Sequence, residues 1–157
     1  MLTKQATDSY LTFKLDTELF AINVGKVLEI LEMKPITRVP KSPPFMKGVI
    51  NLRGNILPVI DTRNKFAMAE ATFTIDTCII VLSIASETDT LLVGAIVDSV
   101  QKVIDIPDEV IQVSPSMGAM YREEFISGIG KVEEEFVMIL NIDKVFSSED
   151  VYAITDL

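Results

Sequence analysis

The chain has 157 residues, of which 48% are hydrophobic and 24% charged, and its net charge is −9. This length and composition suit one compact domain or two small lobes that share a core. The acidic balance argues against nucleic-acid binding, which depends on neutralising phosphates with Lys and Arg. Each apolar run is too short to cross a membrane, so we expect no direct membrane insertion. The start of the chain lacks the basic and apolar segments of a secretory signal, so we expect a cytoplasmic location.

The charge is distributed unevenly along the chain. Residues 1–75 contain ten Lys and Arg against seven Asp and Glu, net +3, whereas residues 76–157 contain four against sixteen, net −12. This asymmetry favours one lobe that meets acidic partners and another that meets basic or neutral ones, although an ordinary solvated surface would also account for it. The basic excess of the first half lies at Lys34, Arg38, Lys41, Lys47, Arg53, Arg63 and Lys65.

The first 40 residues predict strands around one helix. Alternation of apolar and polar residues over residues 10–15 indicates a half-buried strand, and residues 19–22 form a second apolar run. Asn23 is a suitable N-cap for a helix over residues 24–32, where apolar side chains recur at helical spacing. Residues 36–39 then predict a further strand.

The central feature of the sequence is a predicted β-hairpin with a short helix after it, in residues 48–66. Two apolar runs flank a tight turn at Arg53 and Gly54, and Gly54 can adopt the positive φ that such a turn requires. The turn would hold Arg53 at the tip, in water. Asp61 follows the second run, where its carboxylate can cap a short helix.

The same pattern returns in residues 128–146 at an offset of 80. Gly128 corresponds to Gly48 without a gap, and Asn141 takes the capping position of Asp61. Phe125 in the segment before it likewise corresponds to Phe45. Agreement in the turn, the apolar positions and the cap predicts an internal duplication.

The second half also opens as the first does, with two predicted strands at residues 78–84 and 91–97 across a polar turn at residues 86–90. Residues 97–103 repeat the apolar spacing of the first helix at an offset of 73, with valines that favour one helical turn over two. The runs at 78–82 and 136–140 are too apolar to have a wet face, so we expect them in a core shared by the two halves.

Short strands joined by single helical turns predict a mainly β protein with two small, partly closed barrels. The chain has no histidine, the commonest general base and metal ligand. Its adjacent carboxylates, at residues 108–109, 123–124 and 133–135, are typical of solvated turns. Cys78 lies in an apolar run and is interpreted as a buried small residue. We therefore expect no catalysis, cofactor or metal site, and a binding function; a barrel with a small-ligand pocket is another class of binding protein.

Three segments resemble the CheW adaptor family of bacterial chemotaxis: KVLEI at 26–30, ITRVPKSPPFMKGVINLRG at 36–54 and ILPVIDTRNKF at 56–66. With GAIVDSV at 94–100 and the second hairpin, the resemblance extends over residues 10–146. It implies two SH3-like five-stranded β-barrel lobes from an internal duplication, sharing a hydrophobic core, with short connecting helices. The chain would be a single CheW-like domain over 1–157, with approximate lobes at 10–70 and 76–146 and chain ends able to cross between them. The sequence departs from the family at Thr62, where leucine is usual, and in its acidic second turn.

The resemblance implies a non-catalytic scaffold in two-component signal transduction. Such an adaptor couples chemoreceptors, the methyl-accepting chemotaxis proteins, to the histidine kinase CheA. The implied partners are the regulatory domain of CheA, which shares the fold and packs end to end on the lobes, and the coiled-coil tip of the receptor. Association with membrane receptor arrays would occur only through these partners. The alternative is a CheW-like coupling module for a different kinase pathway, governing surface motility or development.

The resemblance also implies which residues bind the receptor. The sequence alone would place Val27 in a core and leave Glu29 and Arg53 as solvated charges. The family pattern assigns them to a receptor surface, with further residues in a groove between the lobes. The predicted receptor-binding residues are Val27, Glu29, Asn51, Arg53, Gly54, Val97, Ser99 and Val100.

Overall fold

The computed structural model describes residues 7–85, 90–112 and 125–146. That part of the chain is mainly β, with two α-helices of one turn each and two 3-10 turns. The strands are β1 Thr7–Leu15, β2 Glu18–Asn23, β3 Val27–Glu32, β4 Met46–Leu52, β5 Asn55–Asp61, β6 Cys78–Ala85, β7 Thr90–Val97, β8 Ser99–Pro107, β9 Ile111–Gln112, β10 Ile126–Val132 and β11 Glu135–Leu140, and the helices are α1 Thr62–Lys65 and α2 Ile142–Val145.

Two sheets organise these strands. One has the order β3-β6-β7-β5-β4 and the other has the order β8-β1-β2-β11-β10-β9. Each sheet contains one parallel pair, β5 with β7 and β11 with β2, and the other pairings are antiparallel. The chain therefore begins in the six-stranded sheet, builds the five-stranded sheet and then returns. The opening strands β1 and β2 join the sheet of the second hairpin, and β6 and β7 join the sheet of the first hairpin.

The structure confirms the internal duplication of the hairpin and helix. β10 and α2 begin and end 80 residues after β4 and α1. Both hairpins have a register shift two residues into the first strand. Both turns use left-handed backbone, with φ of 52° and 87° at Arg53 and Gly54 and of 48° and 70° at Glu133 and Glu134. Two successive positive φ values are the geometry that joins twisted strands through a two-residue turn.

Gly48 and Gly128 occupy the place in each hairpin where another segment crosses closely. Thr37 forms a bridge to Val49, and a Cβ on Gly48 would lie 2.3 Å from the Thr37 carbonyl oxygen. A Cβ on Gly128 would lie 2.4 Å from Ile111 Cγ2, on β9. Each glycine thus lets a crossing segment pair with the outer edge of the hairpin.

Alternate side chains of the central strands contribute to different cores. In β6, Ile79 and Val81 face the interior of the five-stranded sheet, whereas Ile80 belongs to a core shared by both sheets. In β2, Phe20 faces the shared core and Ala21 the interior of the six-stranded sheet. These strands are apolar on both faces because each face packs on a different layer. The fold is two SH3-like lobes around a shared hydrophobic core.

An aromatic column runs through this shared core. The rings of Phe13 and Phe20 stack with centroids 5.6 Å apart, Phe66 lies 5.5 Å beyond Phe20, and Phe125 lies 5.8 Å beyond Phe66. The column joins strands of the six-stranded sheet to the residue that ends α1 of the other lobe. Full burial of each such ring contributes about 1.5–3 kcal/mol, so the column is a main attachment between the lobes.

The helix predicted over residues 24–32 is wrong. Only Val24–Lys26 forms a 3-10 turn, and the next six residues are strand β3, antiparallel to β6. The helical spacing of the apolar residues is a local preference. It is weaker than the hydrogen bonds and packing that β3 gains by pairing with β6 along its whole length. The Asn23 cap is confirmed, because its side chain accepts a hydrogen bond of 2.8 Å from the Gly25 amide.

The helical turns predicted over residues 97–103 are wrong for the same reason. Ser99–Pro107 is strand β8, which pairs with β1. The strand predicted over residues 36–39 is reduced to the single bridge of Thr37. The predicted turn at 86–90 lies mostly outside the described residues, and the acidic pair at 123–124 lies wholly outside them.

The helix caps and the exposure of Phe136 test the predictions made for the two hairpins. Asp61 caps α1 as expected, accepting a hydrogen bond of 3.3 Å from the Asn64 amide. Asn141 holds the equivalent position but makes no side-chain capping bond to α2. Phe136 was expected in the shared core and is instead 66% exposed, because it lies at a hairpin tip. The rest of its run packs inward, with Val137 fully buried.

Candidate functional site

The residues at the centre of the candidate site are Glu29 and Arg53, which form a two-pronged ion pair. Arg53 Nη1 donates to Glu29 Oε2 and Arg53 Nη2 to Glu29 Oε1, each at 2.7 Å. Glu29 lies on β3 and Arg53 at the β4–β5 turn, and β3 and β4 are the two edges of the five-stranded sheet. The pair therefore spans the gap between the edges of a curled sheet. Paired parallel hydrogen bonds of this kind fix orientation as well as distance.

The turn that carries Arg53 is held by its own side chains. Asn51 Oδ1 accepts a hydrogen bond of 2.7 Å from the Gly54 amide. Gly54 has φ of 87°, which glycine adopts without strain. Asn51 and Gly54 thus serve as positioning residues that present the guanidinium toward Glu29.

Electrostatics keep both members of the pair charged. The hydrogen bond from Arg53 lowers the pKa of Glu29 and outweighs the opposing effect of desolvation, and the positive charges of Arg53 and Lys34 lower it further. The same hydrogen bond raises the pKa of Arg53. The Arg53 side chain is 68% exposed and that of Glu29 is 29% exposed. An ion pair in such contact with water contributes little to folding, so the fixed geometry of the pair matters more for binding than for stability.

The other predicted receptor-binding residues lie against the shared core. Val27 and Val100 are half-buried and pack on it, and Val97 is 1% exposed. Ser99 is half-buried, and its hydroxyl accepts a hydrogen bond of 2.9 Å from Gln101 Nε2. Glu29, Asn51, Arg53 and Gly54 thus form one contiguous group. The other four predicted residues, Val27, Val97, Ser99 and Val100, lie at the boundary between the lobes.

Sequence reasoning missed several exposed apolar residues. Leu28 and Ile30 on β3 are 56% and 46% exposed, and Val103 on β8 is 57% exposed. The helix predicted over 24–32 concealed them; successive side chains of a strand point to opposite faces, so a strand would have placed Leu28 and Ile30 on the face opposite to Glu29. Ile56 at the first hairpin tip is 77% exposed, and Phe136, its counterpart 80 residues later, is exposed as well.

Two further ion pairs connect the lobes. Arg63 on α1 donates to Asp98 through Nε at 2.9 Å and Nη2 at 2.5 Å, and Asp98 also accepts from the Asp16 amide at 2.6 Å. Although burial raises the pKa of Asp98, the hydrogen bonds from Arg63 and Asp16 outweigh it and leave the pKa below its ordinary value. On the other side, Lys26 Nζ lies 2.8 Å from Asp143 Oδ2 on α2.

The structure offers little to small ligands at the barrel interiors. Side chains buried to 8% exposure or less fill the inside of each sheet, among them Leu57 and Val59 in one and Ile106 and Val137 in the other. Cys78 is half-buried, and burial raises the pKa of its thiol. Within the described residues, no group of three or more His, Cys, Asp or Glu side chains could hold a metal ion. None of the described helices is long and apolar enough to cross a membrane.

The two packed lobes and the charged and apolar groups on their surface define a protein-interaction scaffold. Comparison with known proteins agrees: a model of the CheW-like domain matches residues 9–150. The chain belongs to the CheW-like family. Chemotaxis protein CheW of Klebsiella aerogenes is 35% identical over 142 residues, which are 90% of this chain and 83% of that protein.

A solved structure and a second relative extend the comparison. The crystal structure of the scaffolding protein TtCheW from Thermoanaerobacter tengcongensis has a TM-score of 0.81 and 29% identity, covering 96% of this chain and 94% of that one. The protein FrzA of Myxococcus xanthus is 27% identical over 144 residues, which are 85% of this chain and 87% of FrzA. The protein is therefore a CheW-type scaffold of chemotaxis signalling.

Proposed function

We propose that this protein couples chemoreceptors to the histidine kinase CheA as a non-catalytic cytoplasmic adaptor. The observation that supports the proposal most directly is the ion pair of Glu29 and Arg53. Glu29 matches a family position implicated in receptor binding, Arg53 is the arginine of the family's NLRG motif, and the pair holds a fixed geometry in contact with water. The pair is organised before a partner arrives, so binding loses little side-chain entropy.

The receptor surface in this proposal has a charged part and an apolar part. Glu29 and Arg53 offer one carboxylate and one guanidinium, with Asn51 and Gly54 holding the turn. Their hydrogen-bonding groups would meet complementary groups on the coiled-coil tip, and contact would remove them from water. The apolar part is the inter-lobe boundary, where the partner packs against the half-buried Val27 and Val100, with Val97 and Ser99 shaping the surface.

The kinase contacts in this proposal are the two exposed hairpin tips. Ile56 and Phe136 are equivalent residues of the duplication, and each presents a large apolar side chain to water. The regulatory domain of CheA shares the two-lobed fold, so it can meet either lobe end to end. An apolar anchor surrounded by charged residues is the usual form of such a contact.

A different pathway is the second candidate function, favoured by the match to FrzA. The chain would then couple a receptor to another kinase, in surface motility or development. The scaffold chemistry would be the same and the kinase partner different. The acidic turn of the second hairpin, where the first has Arg53 and Gly54, is where a changed kinase preference would act.

Reconstitution from purified components tests the proposal. Receptor cytoplasmic fragment, CheA and this protein are combined, omitting each in turn, and autophosphorylation of the kinase is measured. We expect the receptor to control the kinase only when this protein is present. At least one of the two contacts should weaken as salt rises, because exposed charges are screened over about 10 Å at 0.1 M ionic strength. Control of a surface-motility kinase with no effect on CheA would favour the second candidate, and no binding to any receptor fragment would contradict both.

A further inference from the structure

The cations of residues 34–65 are used unequally. This stretch contains seven Lys and Arg and one carboxylate, Asp61, in a chain whose net charge is −9. Arg53 and Arg63 are occupied by ion pairs with Glu29 and Asp98. Lys65 lies over the ring of Phe45 at 4.4 Å. Lys34, Arg38, Lys41 and Lys47 have no carboxylate partner among the described residues, and three of these four line one groove.

This groove lies between the segment that follows β3 and helix α1 of the same lobe, and its volume is about 640 Å³. We call it the methionine groove, because Met33, Met46 and Met68 contribute to its wall, together with Ile36 and Phe73. Methionine side chains are flexible and polarisable, so they adapt to ligands of irregular shape. The groove thus combines adaptable apolar side chains with charged and polar ones in about equal measure.

The cations of the methionine groove form no close ion pair within the described part of the chain, and the charge of Lys34 acts on Glu29 only at longer range. Within the described residues, Lys34, Arg38 and Lys47 have no carboxylate within 4.0 Å, and the ammonium of Lys47 lies 5.3 Å from the ring centre of Phe73. Two carboxylates also line the groove. Asp61 is engaged in capping α1, and Glu70 is exposed. Three cations against two acids leave a positive site in a negative protein.

We propose that the methionine groove binds an acidic, amphipathic peptide segment of a protein partner. Carboxylates of the segment pair with Arg38, Lys47 and Lys34, and its apolar side chains pack on the methionines. The lining retains one uncompensated positive charge, and a positive cleft in a negative protein attracts acidic segments. Open grooves lined by adaptable side chains are the form that peptide recognition takes.

A neighbouring turn extends the same surface. Ile75 is 99% exposed, and the turn that carries it is held by hydrogen bonds of 2.8 Å from the Thr74 amide to Thr77 Oγ1 and 3.1 Å from the Asp76 amide to Thr74 Oγ1. Phe73, which lines the groove, immediately precedes this turn. A peptide bound along the groove can extend to Ile75 and cover this exposed apolar side chain.

The test uses a defined probe, an acetylated twelve-residue peptide of the repeat Glu-Glu-Leu-Leu. The protein carries ¹³C-labelled methionine methyl groups, and their NMR signals are followed during titration. We expect shifts at Met33, Met46 and Met68, which line the groove, and none at Met138, which lies on β11 of the other sheet. No shift at millimolar peptide would overturn the proposal, and so would equal shifts with a Lys-Lys-Leu-Leu peptide.

Charge reversals sharpen the test. Arg38→Glu and Lys47→Glu should each weaken peptide binding by about tenfold or more. Lys131→Glu is the matched control, because Lys131 is a lysine 58% exposed on the other lobe, and it should bind as the parent does. Equal binding by all four proteins would overturn the proposal. Saturation of the same methyl signals by octanoate or inorganic phosphate alone, with no gain from the peptide, would assign the groove to small anions instead.

The methionine groove shares no lining residue with the proposed receptor and kinase contacts. Arg38→Glu should therefore leave binding of the receptor fragment and of CheA unchanged while peptide binding falls. If it removed receptor binding as well, the groove would belong to the receptor site and the inference would fail. The peptide titration needs neither partner, so its outcome stands whatever the coupling assay shows.

Discussion

The two halves of the molecule carry the same ion pair with the charges exchanged. Glu29 and Arg53 join the edge strand and hairpin turn of the first half, and Lys102 and Glu133 join the corresponding elements of the second. Lys102 follows Glu29 by 73 residues and Glu133 follows Arg53 by 80, the offsets of the two repeated segments. The first pair is two-pronged at 2.7 Å, whereas the second is a single contact of 3.2 Å.

The junctions between the lobes repeat this exchange. The cation is on the helix in the pair Arg63 and Asp98, whereas the carboxylate is on the helix in the pair Asp143 and Lys26. In both, the carboxylate also accepts a hydrogen bond from a backbone amide: Asp98 from Asp16, in the turn after β1, and Asp143 from Ala85, at the end of β6. The duplicated fold thus places an ion pair at equivalent positions in the two halves, whereas the residue that carries the positive charge in one half is replaced by a negatively charged residue in the other. A partner that reads charge can therefore distinguish the two halves.

The largest expected effect concerns the glycines of the two hairpins. Gly48→Ala should destabilise the protein by about 2–4 kcal/mol, because the new Cβ meets a backbone oxygen that cannot move aside and φ is +152°. Gly128→Ala should cost less, since its Cβ meets mainly the side chain of Ile111, which can turn away. Urea unfolding of both variants measures the difference. Equal losses would show that the crossing segments are equally rigid in the two halves.

The second prediction separates the two edge-strand ion pairs by function. Glu29→Lys or Arg53→Asp should weaken receptor binding by about 2 kcal/mol, some thirtyfold, while the melting temperature barely changes. The double reversal should recover part of the loss if the two side chains act on each other, and none if each contacts the receptor separately.

The matched controls for this prediction are Lys102→Glu and Glu133→Lys in the second half. They reverse the equivalent pair and should leave binding of a receptor fragment unchanged in a pull-down. First-half variants that fold and bind as the parent does would remove Glu29 and Arg53 from the receptor site. If the first-half and second-half variants lost receptor binding equally, the receptor would recognise the geometry common to both pairs and not the sign of their charges.

The third prediction compares the two inter-lobe pairs. Arg63→Ala should destabilise by about 1–3 kcal/mol because it leaves the half-buried Asp98 without its guanidinium, whereas Lys26→Ala removes one contact of a more exposed side chain and should cost less than about 1 kcal/mol. Chemical denaturation of both variants at neutral pH measures this.

Acid provides an independent measurement of the Arg63 pair. The pKa of Asp98 is lowered in the folded protein, so the stability it contributes is fully present above its unfolded pKa of 3.8 and is lost as pH falls through the folded value. The parent should lose unfolding free energy over this range, and Arg63→Ala should lose less. If the unfolding free energies of the parent and of Arg63→Ala fell equally with decreasing pH, the lowered pKa of Asp98 would not be due to Arg63.

The sequence predicted features that repeat and missed features that depend on distant pairing. The hairpins, their turns and α1 follow from local chemistry, such as a glycine with positive φ and the Asp61 cap. Strands β3 and β8 were read as helical because their valines and leucines fit both periods, and only the pairing with β6 and β1 decides between them. The contact of Glu29 with Arg53 depends on the curvature of the sheet, which local sequence patterns do not predict. Only the resemblance to the CheW family placed the two residues on one surface.

The last prediction concerns Thr62, a buried residue that the second half replaces with Ile142. Thr62 is 1% exposed, and its hydroxyl has no hydrogen-bond partner within the described part of the chain. Thr62→Val keeps the shape and removes the unpaired hydroxyl, so it should stabilise the protein by about 1 kcal/mol. Thr12 is the matched control because it is equally buried, but its hydroxyl donates to the Lys102 carbonyl at 2.7 Å and accepts from the Lys102 amide at 3.1 Å. Thr12→Val should therefore destabilise by about 1–3 kcal/mol, and thermal melts of the two variants should move in opposite directions; a loss of stability in both would mean that the Thr62 hydroxyl is bonded in solution.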